Sequence, residues 1–172
     1  MDTLIAIDRP APDFELPDLA GNRHRLADQL GQVIVLNFWS AECPWSERAD
    51  QELLSYLQDW GERVTLWTIA SNANEPWEML HRVAVQRRLP VVLHDAQQMV
   101  ADLFQAQTTP HVFVIDAAGI LRYQGAVNDM TFRQRSPTRF FLYDAVEALL
   151  ADRRPDPAQT LSYGCTIVRF AG

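Results

Sequence analysis

Two cysteines, Cys43 and Cys165, are the only side chains here with a ready nucleophile for redox chemistry. Cys43 sits in Trp39-Ser40-Ala41-Glu42-Cys43-Pro44-Trp45-Ser46, between an apolar run and a helical pattern. A thiol reacts as its thiolate, and the unpaired N–H groups at a helix N-terminus lower thiol pKa. Pro44 suits a first helical position, so Cys43 is expected immediately ahead of the first turn. The adjacent Glu42 opposes a second negative charge, and Arg48, one turn on, offsets part of it. A moderately activated thiol is the expectation, against an inert cysteine buried in a core face. Ser46, three residues on, can donate a hydrogen bond to the thiolate or be a plain first-turn serine. A single thiol that forms a mixed disulfide or a sulfenic acid needs a second thiol to resolve it. Cys165 can serve only if its Cα comes within ~7 Å of that of Cys43. Otherwise it is a packing residue or an exposed tail thiol, and an external thiol must do the work.

The elements that would position Cys43 can be read from the pattern. Gln32 to Trp39 contains Val33, Ile34, Val35, Leu36 and Phe38, a run suited to a central strand covered on both faces. Ala49, Leu53, Tyr56, Leu57 and Trp60 then mark a helix that Gly61 is placed to end. Val64 to Ala70 is a second strand, Pro76 opens a helix through Trp77, Leu80 and Ala84, and Val91 to Leu93 is a short strand. A short helix, Gln98 to Phe104, precedes Thr109-Pro110 and an apolar strand from Val112 to Ile115. The turn Asp116 to Gly119 and the stretch Ile120 to Gly125 predict a hairpin. Leu142, Ala145, Val146, Leu149 and Leu150 form a last amphipathic helix. Near the N-terminus, Ala11 to Pro17 and Arg23 to Leu26 read as short extended pieces about a turn at Asp18 to Asn22. The order implies an α/β fold, a mixed sheet with helices on both faces. No linker or repeat divides the chain, so residues 1–172 are expected as one domain. Residues 152–172 form a tail carrying Cys165, either flexible or docked as an edge strand.

Composition narrows the classes. A net charge of −7 over 172 residues argues against nucleic-acid binding, and Arg133, Arg135 and Arg139 read as a solvated loop. Met1 to Arg9 has neither a basic n-region nor an apolar core, so no signal peptide is expected. No apolar run has membrane-spanning length, so no membrane partner is expected either. Two cysteines do not make a secreted disulfide framework, which favours a cytoplasmic protein with reduced thiols. His24, His81 and His94 lack ligand spacing with one another or with the cysteines, so neither metal nor other cofactor is called for. His111, directly after Pro110, can be an acid/base near Cys43 or simply the first residue of a strand.

Phe38-Trp39-Ser40-Ala41-Glu42-Cys43-Pro44-Trp45-Ser46 resembles the thioredoxin-family signature, in which an aromatic pair precedes Cys-x-x-Cys. Thr109-Pro110 before an apolar strand resembles that family's cis-proline loop. Pro10-Ala11-Pro12-Asp13-Phe14-Glu15-Leu16 with Gly21, and Val91 to Gly119, resemble the redoxin group. That group includes the alkyl hydroperoxide reductase/thiol-specific antioxidant proteins and membrane-tethered thiol-disulfide reductases. The ending Gly164-Cys165-Thr166-Ile167 is similar to a redoxin subgroup with a Gly-Cys-Ser-Ile-type terminus. The resemblance implies a thioredoxin-like fold and an antioxidant or thiol-disulfide enzyme in which Cys43 attacks a disulfide or a peroxide. It also implies that Thr109 and Pro110 position the substrate backbone, with Trp45 an exposed contact at the tip of the turn. The reductant would be thioredoxin or glutathione, and a homodimer is compatible with the group.

Two departures matter. Ser46 replaces the second cysteine, which excludes a dithiol cycle within the motif. The peroxidase pattern Pro-x-x-x-Thr/Ser-x-x-Cys is half present, with Ser40 at the hydroxyl position and Leu36 where proline belongs. A non-catalytic thioredoxin-fold module that binds a protein partner is the rival expectation.

Overall fold

The computed structural model describes residues 5–170; the first residues of the stretch read for a leader, and the last two of the tail, lie outside the described residues. Five strands make the central sheet: β3 (Val33–Trp39), β4 (Val64–Ala70), β5 (Val92–His94), β7 (His111–Ile115) and β8 (Leu121–Gly125). Their order across the sheet is β5-β4-β3-β7-β8. β3 runs parallel to β4 and antiparallel to β7, so it is central, and all seven of its residues are buried.

Alternation along β3 divides the core. Ile34, Leu36 and Phe38 face a cluster with Phe104 of α3 (Met99–Phe104) and Leu16 of β1 (Glu15–Pro17). Strand β1 pairs with β2 (Arg23–Arg25) as a small hairpin. Val33 and Val35 face the opposite way, against Leu53 of α1 (Pro44–Trp60) and Leu142 and Val146 of α4 (Phe141–Leu150). Trp39, Leu80 and Ala84 complete that side, the last two from α2 (Trp77–Arg87). Burying side chains of this size stabilises by about 1.5–3 kcal/mol each, so both faces of β3 are strongly specified. This is the thioredoxin-like mixed sheet that the sequence predicts, with its strand and helix boundaries shifted by one or two residues, save the N-terminal strand, which begins at Glu15 rather than Ala11.

The tail is docked. Residues 158–160 run along β8, where Gln124 N–H donates to the Ala158 carbonyl, its carbonyl accepts from Thr160 N–H, and the Thr160 hydroxyl accepts from Ala126 N–H at 2.9 Å. A Cβ on Gly125 would lie 2.2 Å from the Thr160 Oγ1, so a glycine is needed at this close approach. The chain then crosses to the other side of β7, where β9 (Cys165–Thr166) pairs antiparallel with β6 (Thr108–Thr109). Beyond it, Ile167 is 3 % exposed and belongs to the core, Val168 exchanges hydrogen bonds with Asn72 and Ala73, and Arg169 binds Asp102 and the Ala106 carbonyl.

Candidate active site

β3 delivers the chain to a sharp turn, Ser40 to Glu42, and α1 begins directly after it. Cys43 is the N-cap of α1 and Pro44 its first residue. The apolar face of α1, with Ala49 and Leu53 in the core, fixes the helix and with it the position of Cys43.

The turn is held from beneath by Glu75, a buried carboxylate that follows β4. It accepts from the Ser40 hydroxyl at 2.5 Å and from Ala41 N–H at 2.9 Å, with Asn72 and Glu42 N–H at 3.4 Å. Arg87 supports the same turn from α2, donating to the Ala41 carbonyl at 2.7 Å and to Asp50 at 3.0 Å. Asp50 also accepts from Trp39 Nε1 at 2.8 Å. Burial nonetheless pushes its carboxyl up to about 6, against the Trp39 and Arg87 contacts that favour ionisation.

Cys43 itself is 3 % exposed. Its thiol donates to the Thr109 carbonyl at 3.2 Å, and Thr109 precedes Pro110 through a cis peptide bond. In the β6–β9 ladder the partner of Thr109 is Cys165. Gly164 permits this approach: a Cβ there would sit 2.0 Å from the Thr109 carbonyl oxygen and 3.1 Å from the Pro110 ring. Cys43 and Cys165 thus meet at the same residue, Thr109, and both thiols are free.

Their acidities diverge. Burial pushes Cys43 up, but hydrogen bonds from the Cys165 thiol, from Thr109 and from the Ser46 and Cys165 backbones outweigh it and lower its pKa. Cys165 is pushed up to about 12, first by burial, then by its hydrogen bond to Cys43 and the negative charge of Cys43 and Glu75. The Thr109 hydroxyl, buried and without another protein partner, is free to donate to the sulfur.

The structure thus brings Cys43, Cys165, Thr109 and Pro110 together, and alters several expectations. The Ser46 hydroxyl does not point to the sulfur: it accepts from Ser40 N–H at 3.2 Å, and Ser46 reaches Cys43 through its backbone N–H. The Ser40 hydroxyl is committed to Glu75, so it is not offered to a peroxide. Trp45 is not an exposed tip; it is half-buried, packed edge-on against Tyr163 with ring centroids 4.9 Å apart and covered by Arg48 at 5.3 Å. His111 faces away from the sulfur, Nδ1 accepting from Gln107 N–H at 3.2 Å and Nε2 bonded to Gln124 at 2.8 Å. Burial lowers its pKa despite the Gln124 bond. Among the described residues, no group of three or more His, Cys, Asp or Glu side chains is arranged to hold a metal ion. Sequence reasoning missed Glu75, whose only signal was an acidic residue in a polar Asn-rich loop after a strand, and the hydroxyl of Thr109.

Comparison with known proteins agrees with this geometry. Residues 7–124 match the AhpC/TSA family. The chain is 33% identical over 119 residues to the thiol-disulfide oxidoreductase ResA of Geobacillus kaustophilus, covering 68% of this chain and 67% of the relative. It is 30% identical over 120 residues to the thiol:disulfide interchange protein DsbE of Allochromatium vinosum, covering 69% and 65%. The chain therefore spans about two thirds of the length of these curated relatives. A crystal structure of a hypothetical protein from Sinorhizobium meliloti superposes with a TM-score of 0.88 at 28% identity, covering 99% of this chain and 98% of the other. That match extends through the docked tail. With a thiol at the strand-to-helix turn, a cis-proline loop opposite it and a family match over more than half its length, the chain belongs to the AhpC/TSA family, in the thioredoxin-like redoxin group of thiol oxidoreductases.

Proposed function

We propose that this protein is a thiol-disulfide oxidoreductase that cycles between a Cys43/Cys165 dithiol and a Cys43–Cys165 disulfide. The observation that carries this reading is that Thr109 pairs with Cys165 while its carbonyl accepts from the Cys43 thiol, so both cysteines converge on one residue. Cys43 is the nucleophile because its pKa is lowered while that of Cys165 is raised. In the first step the Cys43 thiolate attacks a substrate disulfide, forming a mixed disulfide and releasing one substrate thiolate. In the second, Cys165 loses its proton and attacks the Cys43 sulfur, forming the internal disulfide and releasing the second substrate thiolate. The order is built in: part of what holds Cys165 protonated is the Cys43 charge, and that charge is gone once Cys43 is in the mixed disulfide. Two equivalents of an external thiol such as glutathione, or a thioredoxin dithiol, return the pair to the reduced state.

A disulfide substrate is favoured over a peroxide because Ser40, the one residue that matched the peroxidase pattern, is bonded to Glu75. The relatives' names point the same way. An antioxidant role is the second reading, through a Cys43 sulfenic acid that Cys165 condenses with loss of water. A purely protein-binding module is not favoured, since such a module has no need of two free thiols of divergent acidity converging on Thr109. Because both thiols lie in one chain, the cycle requires no second copy. The proposed compartment is the cytoplasm, on the low cysteine content; cell fractionation tests it.

The test is steady-state turnover of a small disulfide and of hydrogen peroxide with glutathione or thioredoxin as reductant. Disulfide turnover that Cys43→Ser abolishes is the expected result. Turnover of neither oxidant, or turnover unchanged by Cys43→Ser, overturns the proposal.

A further inference from the structure

Residues 163–168 do more than carry Cys165. The backbone of Thr108 and Thr109 is a strand edge beside the reactive sulfur, and such an edge is what an extended peptide pairs with when it adds a strand. Here that edge already has a partner, β9, with Thr108 opposite Thr166 and Thr109 opposite Cys165. Gly164 lies on the Thr109 carbonyl and the Pro110 ring, and Tyr163 packs on Trp45 while its hydroxyl accepts from Phe132 N–H at 2.7 Å. The far end is anchored by buried Ile167 and by Val168, whose N–H donates to Asn72 at 2.7 Å. Asn72 also reaches Glu75, which holds the turn before Cys43, so one loop clamps both the strap and the turn.

We infer that the Tyr163–Val168 strap is a built-in occupant of the peptide edge of the site: it admits low-molecular-weight disulfides and excludes polypeptide disulfides. The inference rests on Cys43 being the nucleophile. A small disulfide needs only a local shift of Cys165 to meet the sulfur in line. A polypeptide needs the backbone groups of Thr108 and Thr109 as well, and gains them only in the fraction of molecules whose strap has left, so its apparent reactivity is scaled down by that fraction. In each case the step is the same: a Cys43–sulfur bond forms, the substrate S–S bond breaks, and one substrate thiolate leaves.

The test compares two proteins with a single thiol, Cys43, differing only in the strap: the full chain with Cys165→Ser, and a chain ending at Ser162. Mixed-disulfide formation is timed with 2-hydroxyethyl disulfide and with a cystine-bridged polypeptide, insulin. Removing the strap is expected to speed the insulin reaction by about tenfold or more and the small-disulfide reaction by less than about threefold. Since truncation also removes Ile167 from the core, Gly164→Val in the Cys165→Ser chain is the second variant. Its side chain would meet the Thr109 carbonyl and lift the strap without shortening the chain, and the same selective gain is expected. Equal gains for both oxidants, or no gain with insulin in either variant, overturn the inference and leave Cys43 as nucleophile. If Cys43→Ser in the full chain, which keeps Cys165, leaves mixed-disulfide formation unchanged, the proposed function falls and the inference with it.

Discussion

Cys43 and Cys165 are the same side chain in two different settings. Cys43 caps a 17-residue helix whose apolar face is locked in the core, and its turn is held by Glu75 and Arg87. Cys165 lies in a two-residue strand whose neighbours are anchored one at a time, at Tyr163, Ile167 and Val168. Rigid support and converging donors lower the first thiol; burial and a negative neighbour push the second up to about 12. In the proposed cycle the pair divides the labour that a Cys-x-x-Cys motif places within one helical turn, with the second thiol supplied from the tail at Cys165. What a three-residue spacing supplies elsewhere, β pairing across Thr109 would supply in that cycle.

The comparison can be broken most directly at Cys43. Replacing it with serine removes the only thiol with a lowered pKa, and we expect disulfide turnover to fall by about a thousandfold or more. Steady-state kinetics with a small disulfide checks it; Cys165→Ser should by contrast retain formation of the mixed disulfide and lose its internal resolution.

Next in size is the support beneath the turn. The carboxyl of Asp50 is raised to about 6 from 3.8 in the unfolded chain. The folded state therefore binds the extra proton between these values, and stability falls as pH rises from about 4 through about 6. The change amounts to about 3 kcal/mol at most. Denaturant titrations across that range should show this slope in the wild type and its loss in Asp50→Asn. Glu75→Gln should cost about 1–3 kcal/mol at neutral pH, because its amide N–H₂ would face donors from Ser40 and Ala41. Thermal unfolding measures that cost.

A smaller effect sharpens the comparison between the thiols. The Cys165 thiol is the first of the groups that lower Cys43, so Cys165→Ala should raise the Cys43 pKa. Its thiolate-limited alkylation should then slow at pH values below both pKa values. The pH profile of iodoacetamide alkylation reads this directly, and an unmoved profile would mean that the helix and Thr109 set the acidity of Cys43 unaided.

Much of this was legible in the sequence. The apolar run of β3, Pro44 behind Cys43, Gly61 at the end of α1 and the hairpin after Pro110 are local signals, each fixed by a backbone or burial constraint that one stretch expresses. What escaped was long-range. Nothing near Ser40 shows that its hydroxyl will be taken by a carboxylate 35 residues away. Nothing near His111 shows that both of its nitrogens will be used within β6–β8. The tail was readable as flexible or as an edge strand; the choice rests on Gly125 and Gly164 meeting Thr160 and Thr109, contacts between distant segments that no periodicity encodes. Asn37 was equally silent: a polar residue in a buried strand, its amide without a protein partner.

The central claim is that Cys43 and Cys165 are one redox pair. Its most direct test is peptide mapping of the wild-type monomer after one equivalent of a small disulfide, quenched in acid and digested without reductant. The account predicts a single cross-linked species joining the peptides of Cys43 and Cys165, formed within one chain. A stable adduct on Cys43 with Cys165 still free, or a cross-link between two chains, would contradict it.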